Sequence, residues 1–154
     1  MEVIALANQK GSVGKTISTI NLGVALAKQG HKVLLVDGDP QGNLTTSLDY
    51  PQPDDMKNTL ATMLEKVVRD EEIKLGDGIW ATNEGVELVP GNIELAAMDV
   101  SLAGIMNRER IMSEYLNTQK RAYDYVLIDC MPSLGITIKP MIITIGCLDI
   151  FFLI

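Results

Sequence analysis

Residues 8–16 read Asn-Gln-Lys-Gly-Ser-Val-Gly-Lys-Thr, a run whose residue types suit the binding of a phosphate chain. Gly11 and Gly14 permit tight backbone turns, so Gly11, Ser12, Val13 and Gly14 can aim successive N–H groups at an anion. Lys15 would neutralise the outer phosphates, and the Thr16 hydroxyl is of the kind that holds Mg²⁺. The usual pattern G-x-x-x-x-G-K-[ST] asks for glycine at position 9, which is Gln9 here, and a second lysine, Lys10, sits inside the loop. Taken alone, the run has a bland alternative: a glycine-containing turn that binds nothing.

Two further places carry carboxylates at the ends of apolar runs. Lys32-Val33-Leu34-Leu35-Val36 leads into Asp37-Gly38-Asp39-Pro40-Gln41-Gly42-Asn43, and Tyr125-Val126-Leu127-Ile128 leads into Asp129. Acids so placed could hold a water on Mg²⁺ or orient a water that attacks a phosphate. Their bland alternatives are a turn capped by its own acids, and a buried strand that happens to end in Asp.

Such side chains converge only if the elements bring strand ends to one rim. Val3–Ala7, Lys32–Asp37 and Tyr125–Asp129 have the length and composition of buried parallel strands. The loop at 8–16 is followed by Ile17, Ile20, Val24 and Ala27 at helical spacing, with Gly30 as a stop. The Gly-, Pro- and Asp-rich stretch 38–58 reads as loop with a short helical turn at Leu44–Leu48. A helix is expected over Thr59–Arg69, a charged connection over Asp70–Asp77, and a short strand over Val86–Val89 with 79–82 as candidate partner. Helical patterns resume near Ile93 and over Arg108–Lys120. The alternation predicts an α/β fold, a doubly wound, mostly parallel sheet flanked by helices, in which strand carboxyl ends face the ligand.

Composition bounds the rest. The chain has 154 residues, 47% hydrophobic and 21% charged, with net charge −7 and pI about 4.6. That suits one soluble domain with a real core and argues against a large nucleic-acid footprint carried by these residues. Cys130 and Cys147 lack C-x-x-C spacing and read as reduced thiols of a cytoplasmic protein. No basic region precedes a long apolar core at the N-terminus, which is the reading of a chain without a signal peptide. The tail Met141–Ile154 comes nearest to a membrane span, but Asp149 interrupts it, so no membrane association is expected. His31 reads as a solvated loop residue, Met98, Met106 and Met112 as packing, and Trp80 as packing too.

The loop with its extra Lys10 resembles the deviant Walker A motif of the ParA/MinD family of P-loop ATPases, whose consensus is K-G-G-V-G-K-T. D-x-D-P-Q-G-N at 37–43 is similar to the second motif of the ParA/Soj partition ATPases. Asp129-Cys130-Met131-Pro132-Ser133-Leu134-Gly135 is similar to the family's D-x-P-P-S-L-G, with Met131 replacing a proline. The resemblance implies an ATP- and Mg²⁺-dependent ATPase that dimerises face to face around two nucleotides. In that reading residues 10–17, Lys10 through Ile17, contact the nucleotide. Lys15 binds the phosphates, Thr16 and Asp129 hold Mg²⁺ with Asp37 near it, and Asp39 positions the attacking water. Lys10 reaches the partner's nucleotide as an arginine finger would. It further implies segregation of plasmid or chromosomal DNA with a centromere-binding ParB-type partner, non-specific DNA being held by the family's C-terminal half.

Departures from the pattern define what else the sequence leaves open. Ser12 replaces a consensus glycine, and Ile17 replaces a residue that is usually threonine. The match runs over residues 1–135. Residues 136–154 form a divergent apolar tail broken by Pro140, poor helix material. This predicts a C-terminally truncated product whose last residues are not native family sequence, the alternative being a diverged but functional short form; reading the other DNA frames past the Gly135 codon decides between them. Three alternatives stay open: a non-catalytic remnant, a MinD-like ATPase, and an iron–sulfur carrier ATPase. MinD-like proteins rely on an amphipathic membrane helix not recognisable here, and an iron–sulfur carrier needs a cysteine pair the chain does not offer.

Overall fold

The computed structural model describes residues 1–7, 14–131 and 149–152. In chain order its first half contains β1 (Glu2–Ala7), α1 (Lys15–Lys28), β2 (Val33–Gly38), α2 (Asn43–Ser47) and α3 (Leu60–Val68). The second half contains β3 (Trp80–Ala81), β4 (Glu87–Val89), α4 (Glu94–Leu102), α5 (Ile111–Gln119), β5 (Tyr125–Cys130) and β6 (Asp149–Phe152). The strands form one sheet in the order β3-β4-β2-β5-β1-β6, in which only β3 runs antiparallel to its neighbour.

Alternation along the strands explains the layers. In β2, Leu34 and Val36 belong to one apolar cluster with Val126 and Ile128 of β5 and residues of α3, α4 and α5. Val33 and Leu35 belong to the other, with Leu127, Leu44 and the partly buried Ile20 and Val24 of α1. All six residues of β2 are buried, as a strand covered on both faces requires. α3 begins where the Thr59 hydroxyl caps the Thr62 N–H, and buries Leu60, Ala61, Met63 and Leu64 on one side. The predicted doubly wound, mostly parallel sheet is therefore present, and each expected element lies close to its anticipated bounds.

Two features differ from the sequence reading or add to it. Residues 149–152, within a tail given no element, form β6 beside β1, with Ile4 opposite Asp149 and Ala7 opposite Phe152. β1 is thereby an interior strand. His31 sets its ring edge-on to Tyr125 at 5.1 Å and lies 4.0 Å from Asp124, so it is anchored rather than simply solvated. The proposed boundary between 135 and 136, and Cys147, lie outside the described residues. No helix among the described residues is long and apolar enough to cross a membrane.

Candidate functional site

Register places the chemistry. Leu6 of β1 lies opposite Asp129 of β5, and Asp129 lies opposite Asp37 of β2, so three central strands end at one rim. α1 starts from the same rim. Its N-cap, Gly14, sits at φ 76°, a left-handed conformation that glycine adopts without the strain a side chain would bring. Lys10, Gly11, Ser12 and Val13 lie outside the described residues.

Thr16, in the first turn of α1, donates its hydroxyl to Asp129 Oδ2 at 2.5 Å across 113 residues of chain. Lys15 is buried although charged, and Thr19 Oγ1 donates to the Lys15 carbonyl at 2.9 Å, fixing the turn that carries it. Asp129 is also buried, and its Oδ1 has no hydrogen-bond partner. Burial pushes the Asp129 carboxyl above its usual range; the Thr16 hydrogen bond and the Lys15 charge hold it down, and the Asp39 charge raises it. A buried carboxylate oxygen with no partner, next to a hydroxyl and an ammonium, fits a hard cation that takes oxygen ligands. No cluster of three or more His, Cys, Asp or Glu converges among the described residues. Mg²⁺ at a phosphate site uses one or two carboxylates and phosphate oxygens, so the donor set remains suitable.

Asp37 is placed differently from Asp129. Its Oδ2 accepts from the Thr45 N–H at 2.8 Å and the Thr45 hydroxyl at 2.7 Å, while Oδ1 accepts from the Asp39 N–H at 3.2 Å. Burial nevertheless pushes its pKa up to about 7, against the lowering effect of these donors. Both oxygens thus tie the 38–45 segment to the end of β2. The Asp39 carboxylate is half-buried and accepts from the Gln41 N–H at 2.9 Å within its own loop. Ile17, the other loop departure, is 65% exposed on α1.

The sequence reading missed three residues here. Thr45 joins Asp37 to the end of β4, since its hydroxyl also accepts from the Gly91 N–H at 3.0 Å. Gly91 packs so closely on the Asp37 backbone that a side chain there would collide with the Asp37 carbonyl. Asn92 is fully buried with no partner for either side-chain atom. The Thr45–Gly91 hydrogen bond spans 46 residues and leaves no periodic trace; only Pro90, the stop after the short strand 86–89, stood out nearby.

The AAA domain model AAA_31 matches residues 1–147. The sporulation initiation inhibitor protein Soj of Bacillus subtilis is 40% identical over 139 residues, covering 88% of this chain and 51% of Soj. A Mycobacterium smegmatis cobyrinic acid a,c-diamide synthase, crystallised with an ATP analog and magnesium, superposes with TM-score 0.84 at 38% identity, over 94% of this chain and 57% of that one. A plasmid partition protein from Borrelia burgdorferi gives TM-score 0.76 at 27% identity, over 95% of this chain and 61% of its own. The chain spans about half the length of the curated relatives it matches. With Thr16 hydrogen-bonded to Asp129 at the rim and the AAA_31 match covering β1 to β5, the chain belongs to the AAA_31 family of AAA domains and is a relative of the ParA/Soj partition proteins.

Proposed function

We propose that this chain binds ATP with Mg²⁺ and hydrolyses it as a nucleotide-dependent dimer switch of the ParA/Soj type, in plasmid or chromosome segregation. The observation that carries the reading is the buried pair Lys15 and Asp129, with the half-buried Thr16 in the first turn of α1 donating its hydroxyl to Asp129 and one Asp129 oxygen unpartnered. Lys15 and the loop N–H groups from Gly11 to Gly14 bind the phosphates, and Ile17 lies beside them on α1. Thr16 and Asp129 hold Mg²⁺, which when bound neutralises charge on the phosphate oxygens. Asp37 secures the loop bearing Asp39, and Asp39 orients water for in-line attack, giving ADP and inorganic phosphate. Lys10 acts across the dimer as a finger, a role worth about 10³–10⁵ in rate where such residues have been measured.

The family relationship supports a ParB-type partner and DNA held through a C-terminal half. A second reading, an ATP-dependent synthase, draws on the likeness to the Mycobacterium smegmatis enzyme. Steady-state ATPase assays and sedimentation separate them. Partition-type function predicts Mg²⁺-ATP-dependent dimers, with turnover lost in Asp39→Ala and dimers retained. Turnover without any nucleotide-dependent self-association would contradict the switch.

A further inference from the structure

Asn92 follows β4 and precedes α4, and it is the described residue whose chemistry is worst served by its surroundings. It is fully buried, yet neither Oδ1 nor Nδ2 has a partner among the protein's own atoms. A primary amide offers two donors and an acceptor, and burying it unpaired forfeits its hydration without return. Its backbone is pinned. The Asn92 carbonyl accepts from the Leu95 N–H at 3.1 Å. On either side, the Gly91 N–H donates to Thr45 Oγ1 and the Ile93 N–H donates to Asp54 Oδ1, both at 3.0 Å. The residue is thus flanked by fixed backbone while both polar atoms of its side chain stay unmet.

The loop bearing Asp39 packs against this same corner. A side chain on Gly42 would come within 2.9 Å of the Gly91 carbonyl, so the 39–42 turn rests on the residue next to Asn92. The turn is closed on itself, with Asp39 Oδ1 accepting from Gln41 N–H and the Gly42 N–H donating to the Asp39 carbonyl at 2.9 Å each. β4 lies on the far side of β2 from β5 and β1, so Asn92 follows a strand separated by β2 and β5 from β1, the strand that precedes α1 in sequence.

We propose that Asn92 is a positioning residue for the Asp39 loop. Nucleotide binding draws residues 39–42 onto its amide, which then makes the hydrogen bonds it lacks in the arrangement described here. The inference rests on the ATP reading above and assigns the coupling of that site to α4. An unpaired buried amide destabilises one arrangement relative to the other, and this difference is what a ligand can use to shift a population.

Thermal unfolding of the full chain and of Asn92→Leu, each with and without Mg²⁺ and a non-hydrolysable ATP analogue, tests it. Leu keeps the branched skeleton of the asparagine side chain without a polar atom, so the nucleotide-free variant should melt about 2–4 °C higher than the wild type. Its nucleotide-induced rise in Tm should be less than half that of the wild type. Its kcat should fall by about tenfold or more with KM for ATP nearly unchanged. A nucleotide-induced rise equal to the wild type's, as for an amide satisfied by a buried water in every state, overturns the assignment. If Asn92→Leu does not fold, Asn92→Ser, which keeps a hydroxyl but cannot span the gap, takes its place with the same decisive comparison of rises. A wild type that shows no rise overturns the ATP reading itself, so the two failures are distinguishable.

Discussion

Asp37 is a carboxylate at its own titration point near neutrality, and that has consequences for stability. Its folded pKa is about 7 against 3.8 for the free side chain. Between those values the folded protein holds a proton that the unfolded chain has released. The group's stabilising contribution is therefore full below pH 4, fades as pH rises to 7, and is flat above. Wild type should lose about 2–3 kcal/mol more than Asp37→Asn between pH 5 and pH 8, measured by urea unfolding at both values. Parallel pH profiles for the two proteins would contradict this. Thr45 is the partner that makes the burial tolerable. Thr45→Val removes the hydroxyl that donates to Asp37 and accepts from Gly91, and should cost about 2–4 kcal/mol in the same assay.

At the scale of elements, the join between β2 and β4 decides where the Asp39 loop sits. Gly91→Ala pushes a methyl group against the Asp37 carbonyl and should destabilise the fold by about 1–3 kcal/mol, while weakening whatever the crevice binds. Gly104→Ala, where an added Cβ meets nothing within 4 Å, should be close to neutral and serves as its control. Equal effects at the two glycines would show that the β2–β4 contact is not the sensitive one. This join also marks where sequence reading stopped. Strands β1, β2 and β5 were legible because burial on both faces demands uninterrupted apolar runs, and Asp37, Asp39 and Asp129 were legible because each follows such a run. α3 announced itself through Thr59 and its apolar spacing. Thr45, Gly91 and Asn92 follow no period, and their meaning comes from tertiary contacts between distant parts of the chain. β6 was hidden because a four-residue strand inside an apolar tail has no pattern of its own, and its pairing with β1 comes from the sheet.

For the whole molecule, the sheet gathers the ends of β1, β5 and β2 beside the start of α1. The acidic chain, at net charge −7, places a buried lysine where a polyanion would be met by local rather than overall charge. We propose that this rim closes on Mg²⁺-ATP although Ser12 and Ile17 depart from the family loop. Isothermal titration of ATP into the folded chain, with and without Mg²⁺ and alongside Lys15→Ala, tests it most directly. Mg²⁺-dependent binding to the wild type, abolished in Lys15→Ala, is the expected result. Folded wild type that takes up no ATP, or that binds it equally well after Lys15→Ala, would contradict it.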